Sequence, residues 1–169
     1  MISRLKYNVT RPAIFLPIII AALGLTTSAH AATATASFAV TATVQATCLI
    51  SATPMAFGTY SGVQTDTTST ISVTCTTSTP YTIGLNAGLA PAATVTSRKM
   101  VGPSAATLAY SLSSDAPRAV NWGMTVPTDT VAGTGNGSAQ SLTVYGRIAA
   151  AQFVAPGAYT DTVIATITY

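Results

Sequence analysis

The chain has 169 residues, with seven lysines and arginines, four aspartates, no glutamate and one histidine, for a formal net charge of +3. Three cations (Arg4, Lys6, Arg11) lie in the first eleven residues, whereas from Ala32 onward four cations (Arg98, Lys99, Arg118, Arg147) balance four aspartates (Asp66, Asp115, Asp129, Asp161). The basicity therefore belongs to the N-terminal segment and is no nucleic-acid footprint, and the scarcity of acids, bases and imidazoles excludes most enzymology.

Residues 1–31 have the layout of a secretory signal peptide. The three cations form its start, Pro12–Leu25 its apolar centre, and Ala29-His30-Ala31 an A-x-A site with cleavage between Ala31 and Ala32. The 14 apolar residues would rise about 21 Å as a helix, short of the roughly 30 Å hydrocarbon core. The expected mature chain, Ala32–Tyr169, has 138 residues and no histidine, and no stretch in it is apolar enough to span a membrane. Its two cysteines, Cys48 and Cys75, read as one disulfide in an oxidising compartment. Closing that loop is worth about 3–4 kcal/mol in the chain-entropy picture. A closed zinc site would need further thiols or histidines that the mature chain lacks.

The first predicted element is Ala32–Thr47, which has no proline, glycine or charge and alternates in period two. Ala34, Ala36, Phe38, Val40, Ala42 and Val44 fall on one side, and mostly threonines on the other. A free strand of this kind seeks a ladder. It reads either as the first strand of its own domain or as a strand made for a neighbour's sheet. Further strands follow with the same alternation: Ile71, Val73 and Cys75; Tyr81, Ile83 and Leu85 after Pro80; Leu108, Tyr110 and Leu112; Leu142, Val144 and Gly146. The final strand is expected to place Tyr159, Val163, Ala165, Ile167 and Tyr169 on one side. Threonine supplies 28 of the 138 mature residues, and with valine, isoleucine and tyrosine it favours the pleated, half-buried surface of a sheet. Helical periodicity is absent. About seven short strands with Gly/Pro turns and one disulfide predict an all-β, immunoglobulin-like antiparallel sandwich.

No catalytic device can be assembled from these residues: a Ser-His-Asp or Cys-His arrangement lacks its base. Lys99 has no S-x-x-K spacing, and the four aspartates read as turn caps and solvated loop residues. Gly133-Thr134-Gly135-Asn136-Gly137 lacks the Lys-Ser/Thr of a phosphate loop and reads as a flexible hairpin or inter-strand loop. Trp122 reads as packing rather than as a sugar platform. No cofactor or metal is expected.

An ordered series of motifs then carries a resemblance. It comprises Cys48-x-Ile50, Phe57-Gly58-x-Tyr60, Ile71-x-Val73-x-Cys75, Pro80-Tyr81-x-Ile83-x-Leu85-Asn86-x-Gly88, Arg98-x-Met100, Leu108-x-Tyr110-x-Leu112 and Asn121-Trp122-Gly123. The ending is the most specific part: Val144-Tyr145-Gly146-Arg147-Ile148, Gln152, Pro156-Gly157-x-Tyr159-x-Asp161-x-Val163 and Ile167-x-Tyr169. Over 32–169 the chain resembles the spore coat protein U domain, the domain of Csu-type pilins in archaic chaperone–usher systems.

The resemblance implies a sandwich lacking its last strand, with residues 1–31 as signal peptide, 32–46 as an N-terminal donor strand and 47–169 as the pilin domain. A periplasmic chaperone would fill the gap first. At an outer-membrane usher, a neighbouring subunit's N-terminal strand would then replace it by β-augmentation, giving an open head-to-tail polymer. Phe38, Val40, Ala42 and Val44 are the residues expected to enter the groove. Burying the phenylalanine and two valines is worth roughly 5–8 kcal/mol gross. The expected product is a surface pilus supporting adhesion and biofilm formation, and the family name keeps a coat polymer as a related reading. The alternative of another class is a secreted monomeric β-sandwich binding module, using Trp122 and the Gly133–Gly137 loop for carbohydrate, in which 32–45 would complete its own domain.

Overall fold

Eight strands and one short 3₁₀ turn account for the regular structure of the computed structural model, which describes residues 30–169. The segment read as a signal peptide, His30 and Ala31 apart, lies outside the described residues. The chain divides into two units at Thr41/Ala42. In the first, residues 30–41 form no strand and their side chains are exposed.

The second unit carries the strands β1 (Cys48–Ala52), β2 (Thr65–Cys75), β3 (Pro80–Leu85), β4 (Arg98–Val101), β5 (Thr107–Ser113), β6 (Val131–Thr134), β7 (Ala139–Ile148) and β8 (Ala165–Thr168). They form two antiparallel sheets, one of five strands in the order β1-β2-β7-β5-β4 and one of three in the order β6-β3-β8. The predicted alternation is obeyed where both sheets cover it. Ile71, Val73, Cys75, Tyr81, Ile83, Leu85, Leu108, Tyr110, Leu112, Val144 and Ile148 are buried in one core. The intervening hydroxyls face outward, and in the β2–β7 register Thr70 stands opposite Thr143 and Ser72 opposite Ser141. This accounts for the threonine content: a half-exposed sheet face favours β-branched side chains that tolerate water.

Cys48 and Cys75 are opposite one another in the β1–β2 register and are disulfide-bonded, as expected. Several local readings are corrected. Gly133 and Thr134 belong to β6, where a Cβ at Gly133 would strike the Tyr81 ring. The rest of that glycine cluster is pinned to the disulfide hairpin, through Gly135 N–H to Thr79 O (2.8 Å), Ser78 N–H to Gly135 O (2.8 Å) and Gly137 N–H to Cys75 O (3.1 Å). It is a fastened inter-sheet crossing rather than a flexible loop, because β6 and β7 lie in different sheets. Tyr169 is exposed rather than continuing the buried side of β8, since β8 ends at Thr168 and no ladder holds the residue after it.

Two side chains join the sheets. Trp122 is fully buried and donates from Nε1 to Ile83 O at 2.8 Å. Arg98, on β4 of the larger sheet, is 0% exposed. Its guanidinium donates to Asn86 O (2.9 Å), Val95 O (2.6 Å), Leu85 O (2.8 Å) and Trp122 O (2.7 Å). Burial lowers its pKa from the ordinary arginine value. A buried guanidinium is tolerated only when its donors are matched, and here four carbonyls at the end of β3 and in its neighbouring loops match them.

Candidate functional site

The two sheets do not meet along their whole length. β1 approaches β8. Beyond Ala52 the chain runs on as a rim over residues 53–62, while residues 152–164 lead into β8 as the opposite rim. Among the described residues, β1 pairs only with β2 and β8 only with β3, so both edges facing this gap lack a ladder partner. The gap is an apolar groove holding two cavities, of about 550 and 800 Å³. The smaller lies between Ala52–Phe57 and Tyr159–Ala165, over Leu112 and Val144. The larger lies between Met55–Gly62 and Gln152–Tyr159, over Leu108 and Ile148. Met55, Phe57, Met100 and Tyr159 line both, which makes the groove continuous.

Local sequence explains the rims. Gly146 on β7 leaves room for Met55 and Phe57, since a Cβ there would collide with the Met55 sulfur. The far rim is tied down on its outer side. Gln152 Nε2 donates to Ala109 O at 2.9 Å, and its Oε1 accepts from Ala109 N–H at 2.8 Å. Val101 and Thr160 exchange backbone hydrogen bonds of 2.9 and 3.0 Å. Asn86 Oδ1 accepts from Ile164 N–H at 2.8 Å. The rims are thus held in place while their inner sides face the groove.

One polar feature sits in the floor. Tyr110 donates to Asp161 Oδ2 at 2.6 Å, and Asp161 Oδ1 accepts from Leu89 N–H and Thr162 N–H, each at 2.8 Å. Burial pushes the Tyr110 hydroxyl far above its usual range, and the bond to Asp161 adds to the shift. The hydroxyl therefore stays protonated, and it is one of three donors, with the Leu89 and Thr162 N–H groups, that hold the Asp161 carboxyl in the floor. Tyr159, Val163, Ala165 and Ile167, expected on one side of a single final strand, are only partly buried; only Ala165–Thr168 forms strand, and Tyr159, Val163 and Ala165 line the groove. They lack the cover that a strand in the groove would supply.

The predicted donor residues Phe38, Val40 and Val44 are 87, 82 and 85% exposed, Ala42 is exposed as well, and residues 30–47 form no strand. Asp115 and Asp129 cap turns as expected, Asp115 accepting from Val120 N–H at 2.7 Å and Asp129 from Thr125 N–H at 2.5 Å. Asp66 departs from the loop reading. It lies in β2 and holds the Arg147 guanidinium by two bonds of 2.8 and 2.9 Å, because Arg147 is its cross-strand partner. Trp122 is core, which removes the proposed sugar platform. The rim residues Met55, Tyr60 and Gln152 were not singled out as a site from the sequence. Met55-x-Phe57 and Tyr159-x-Asp161-x-Val163-x-Ala165 do alternate, but nothing local says that the two runs face each other across an unfilled gap. Among the described residues no cluster of His, Cys, Asp and Glu could hold a metal, and no helix is long and apolar enough to cross a membrane.

Comparison with known proteins agrees with this architecture. The description of the Spore Coat Protein U domain matches residues 34–166. Protein U of Myxococcus xanthus is 36% identical over 158 residues, covering 83% of this chain and 88% of that protein. The fold is similar to a chain in the crystal structure of the CsuC–CsuE chaperone–tip adhesion subunit pre-assembly complex from archaic chaperone–usher Csu pili of Acinetobacter baumannii. The TM-score is 0.59 at 22% identity, over 75% of this chain and 41% of the other. At that identity the likeness concerns the fold, and this chain spans less than half of the solved one. With the match running through both rims of the groove and the strands beneath it, the chain belongs to the Spore Coat Protein U domain family.

Proposed function

We propose that this protein is a structural subunit, not an enzyme, that polymerises by strand donation. The groove of one subunit receives residues 32–46 of the next, with Phe38, Val40, Ala42 and Val44 filling it in alternation. The observation that carries this reading is the complementarity between an unfilled apolar groove with two unpaired edges and an alternating apolar segment with no ladder of its own. Strand addition would satisfy the main-chain groups of both edges while the alternate side chains fill the cavities. Each chain offers one strand and accepts one, so the assembly does not close.

On this reading a periplasmic chaperone holds the groove before assembly, an outer-membrane usher receives the complex, and the exported polymer is a cell-surface pilus serving adhesion and biofilm formation. These roles are supported by the family and by the fold shared with a chain of the Csu chaperone–subunit complex. The test is a denaturing gel of the exported protein, unboiled and boiled, beside a version lacking Ala32–Gln45. A ladder of multiples that collapses on boiling and is absent from the truncation is expected. A full-length monomer in both lanes, with the truncation unfolded, would show that the segment completes its own domain.

A further inference from the structure

The groove is unlike at its two ends. At one, β1 lies near β8 and none of Cys48–Ser51 lines either cavity. The other opens through the larger cavity, between Tyr60–Gly62 and Phe153–Pro156. At this mouth Phe153 is 89% exposed and Val63 67% exposed. The Phe153 ring lies against Gly62, where a Cβ would stand 3.3 Å from Phe153 Cε1, and Gly62 O accepts from Ala151 N–H at 2.8 Å. Phe153, on the far rim, thus reaches the Gly62 backbone beside Val63, and the two rims are fastened together at this mouth. This places two exposed apolar side chains at the end of the groove, where a partner could cover them.

Resting on the strand-donation reading, chain connectivity says what covers it. Only Gln45, Ala46 and Thr47 separate Val44 from Cys48, and Cys48 is fixed in its own domain by the disulfide and by the pairing of β1. Four Cα–Cα steps span at most about 14 Å. A strand whose C-terminal end carries a folded domain must leave through the open end, because the other is occupied by β1 and β8. The donor's folded domain is thus held against the Phe153 mouth. We infer that Phe153 and Val63 form a seat for the folded domain of the neighbouring copy, contacting the root of its donor segment. The surfaces available there are Leu49, 69% exposed on β1, and the Thr76–Thr79 turn that follows Cys75. A small apolar patch suffices, because the donated strand already fixes the two partners at high effective concentration.

The test places the photoreactive residue p-benzoylphenylalanine at position 153 of the full exported protein, and separately at position 63. Irradiated ladders are expected to give boiling-resistant dimers whose adducts map to residues 49–51 or 76–79 of a second copy. Val63→Asp, at a residue that lines neither cavity, should keep the boiling-sensitive ladder yet lower the bending persistence length of the filaments at least twofold in electron micrographs. Adducts confined to the same chain or mapping elsewhere, or filaments of unchanged stiffness, with the ladder intact, would overturn the seat and leave strand donation standing. Absence of any ladder from the unmodified protein would remove both.

Discussion

Arg98→Met tests whether the guanidinium joins the two sheets or is merely tolerated between them. The substitution keeps length and apolar stem but removes donors to four carbonyls. Charge-assisted bonds of this kind contribute about 1.5–3 kcal/mol each. The bonds to Leu85 O and Trp122 O are fully buried, whereas those to Asn86 O and Val95 O are partly buried and reachable by water on removal. The two fully buried bonds then account for about 3–6 kcal/mol, and the two partly buried ones for little, because water replaces them. A net destabilisation of about 3–6 kcal/mol remains. With a urea m-value of about 2 kcal/mol/M, the unfolding midpoint should fall by about 2 M. Trp122 is the only tryptophan and its carbonyl is one of the four acceptors, so its fluorescence reports unfolding at the altered place. Arg98→Lys should lie between, since one ammonium retains the charge but cannot reach all four oxygens. A midpoint within 0.5 M of wild type for Arg98→Met, or a lysine variant as stable as the arginine, would refute the sheet-joining role.

Phe38→Arg should abolish the ladder while leaving the subunit's own fold intact, because Phe38 is exposed and makes no strand; wild-type incorporation of this variant into polymer would count against Phe38 as a groove residue. Cys48→Ser should destabilise the subunit by about 3–4 kcal/mol and lower the recovered yield of folded protein, read by the same fluorescence titration with and without reductant. The bond to Arg147, the first cause, holds the Asp66 carboxyl below its usual 3.8, with Arg118 adding to the effect. Its folded value is depressed, so its stabilisation is present above pH 3.8 and is lost as the pH falls through the lowered value. Asp66→Asn should flatten that acid limb of the stability curve and change little at neutral pH, since the pair is surface-exposed.

The sequence by itself determined the all-β class, most of the buried faces and the disulfide. Each follows from a local or pairwise rule: alternation over four or more residues sets a sheet face, as in Ile71-x-Val73-x-Cys75, and the two cysteines of the chain have only each other as disulfide partners. The same rules marked Phe38, Val40, Ala42 and Val44 as an alternating strand lacking charge and breakers. Tertiary structure alone decided where the sandwich is open. Met55, Phe57 and Tyr159 carry the same apolar pattern as covered core residues, and only the failure of β1 and β8 to pair leaves them lining a groove. It also decided the fate of isolated polar residues. Arg98 and Lys99 are adjacent and equally basic in sequence, yet strand alternation at the sheet edge turns one toward four carbonyls and leaves the other outside the core. Asp66 became an ion-pair partner instead of a loop residue because the register of β2 on β7 set Arg147 opposite it. Those outcomes depend on which distant backbone arrives beside a residue, and a pattern read along one segment does not encode that.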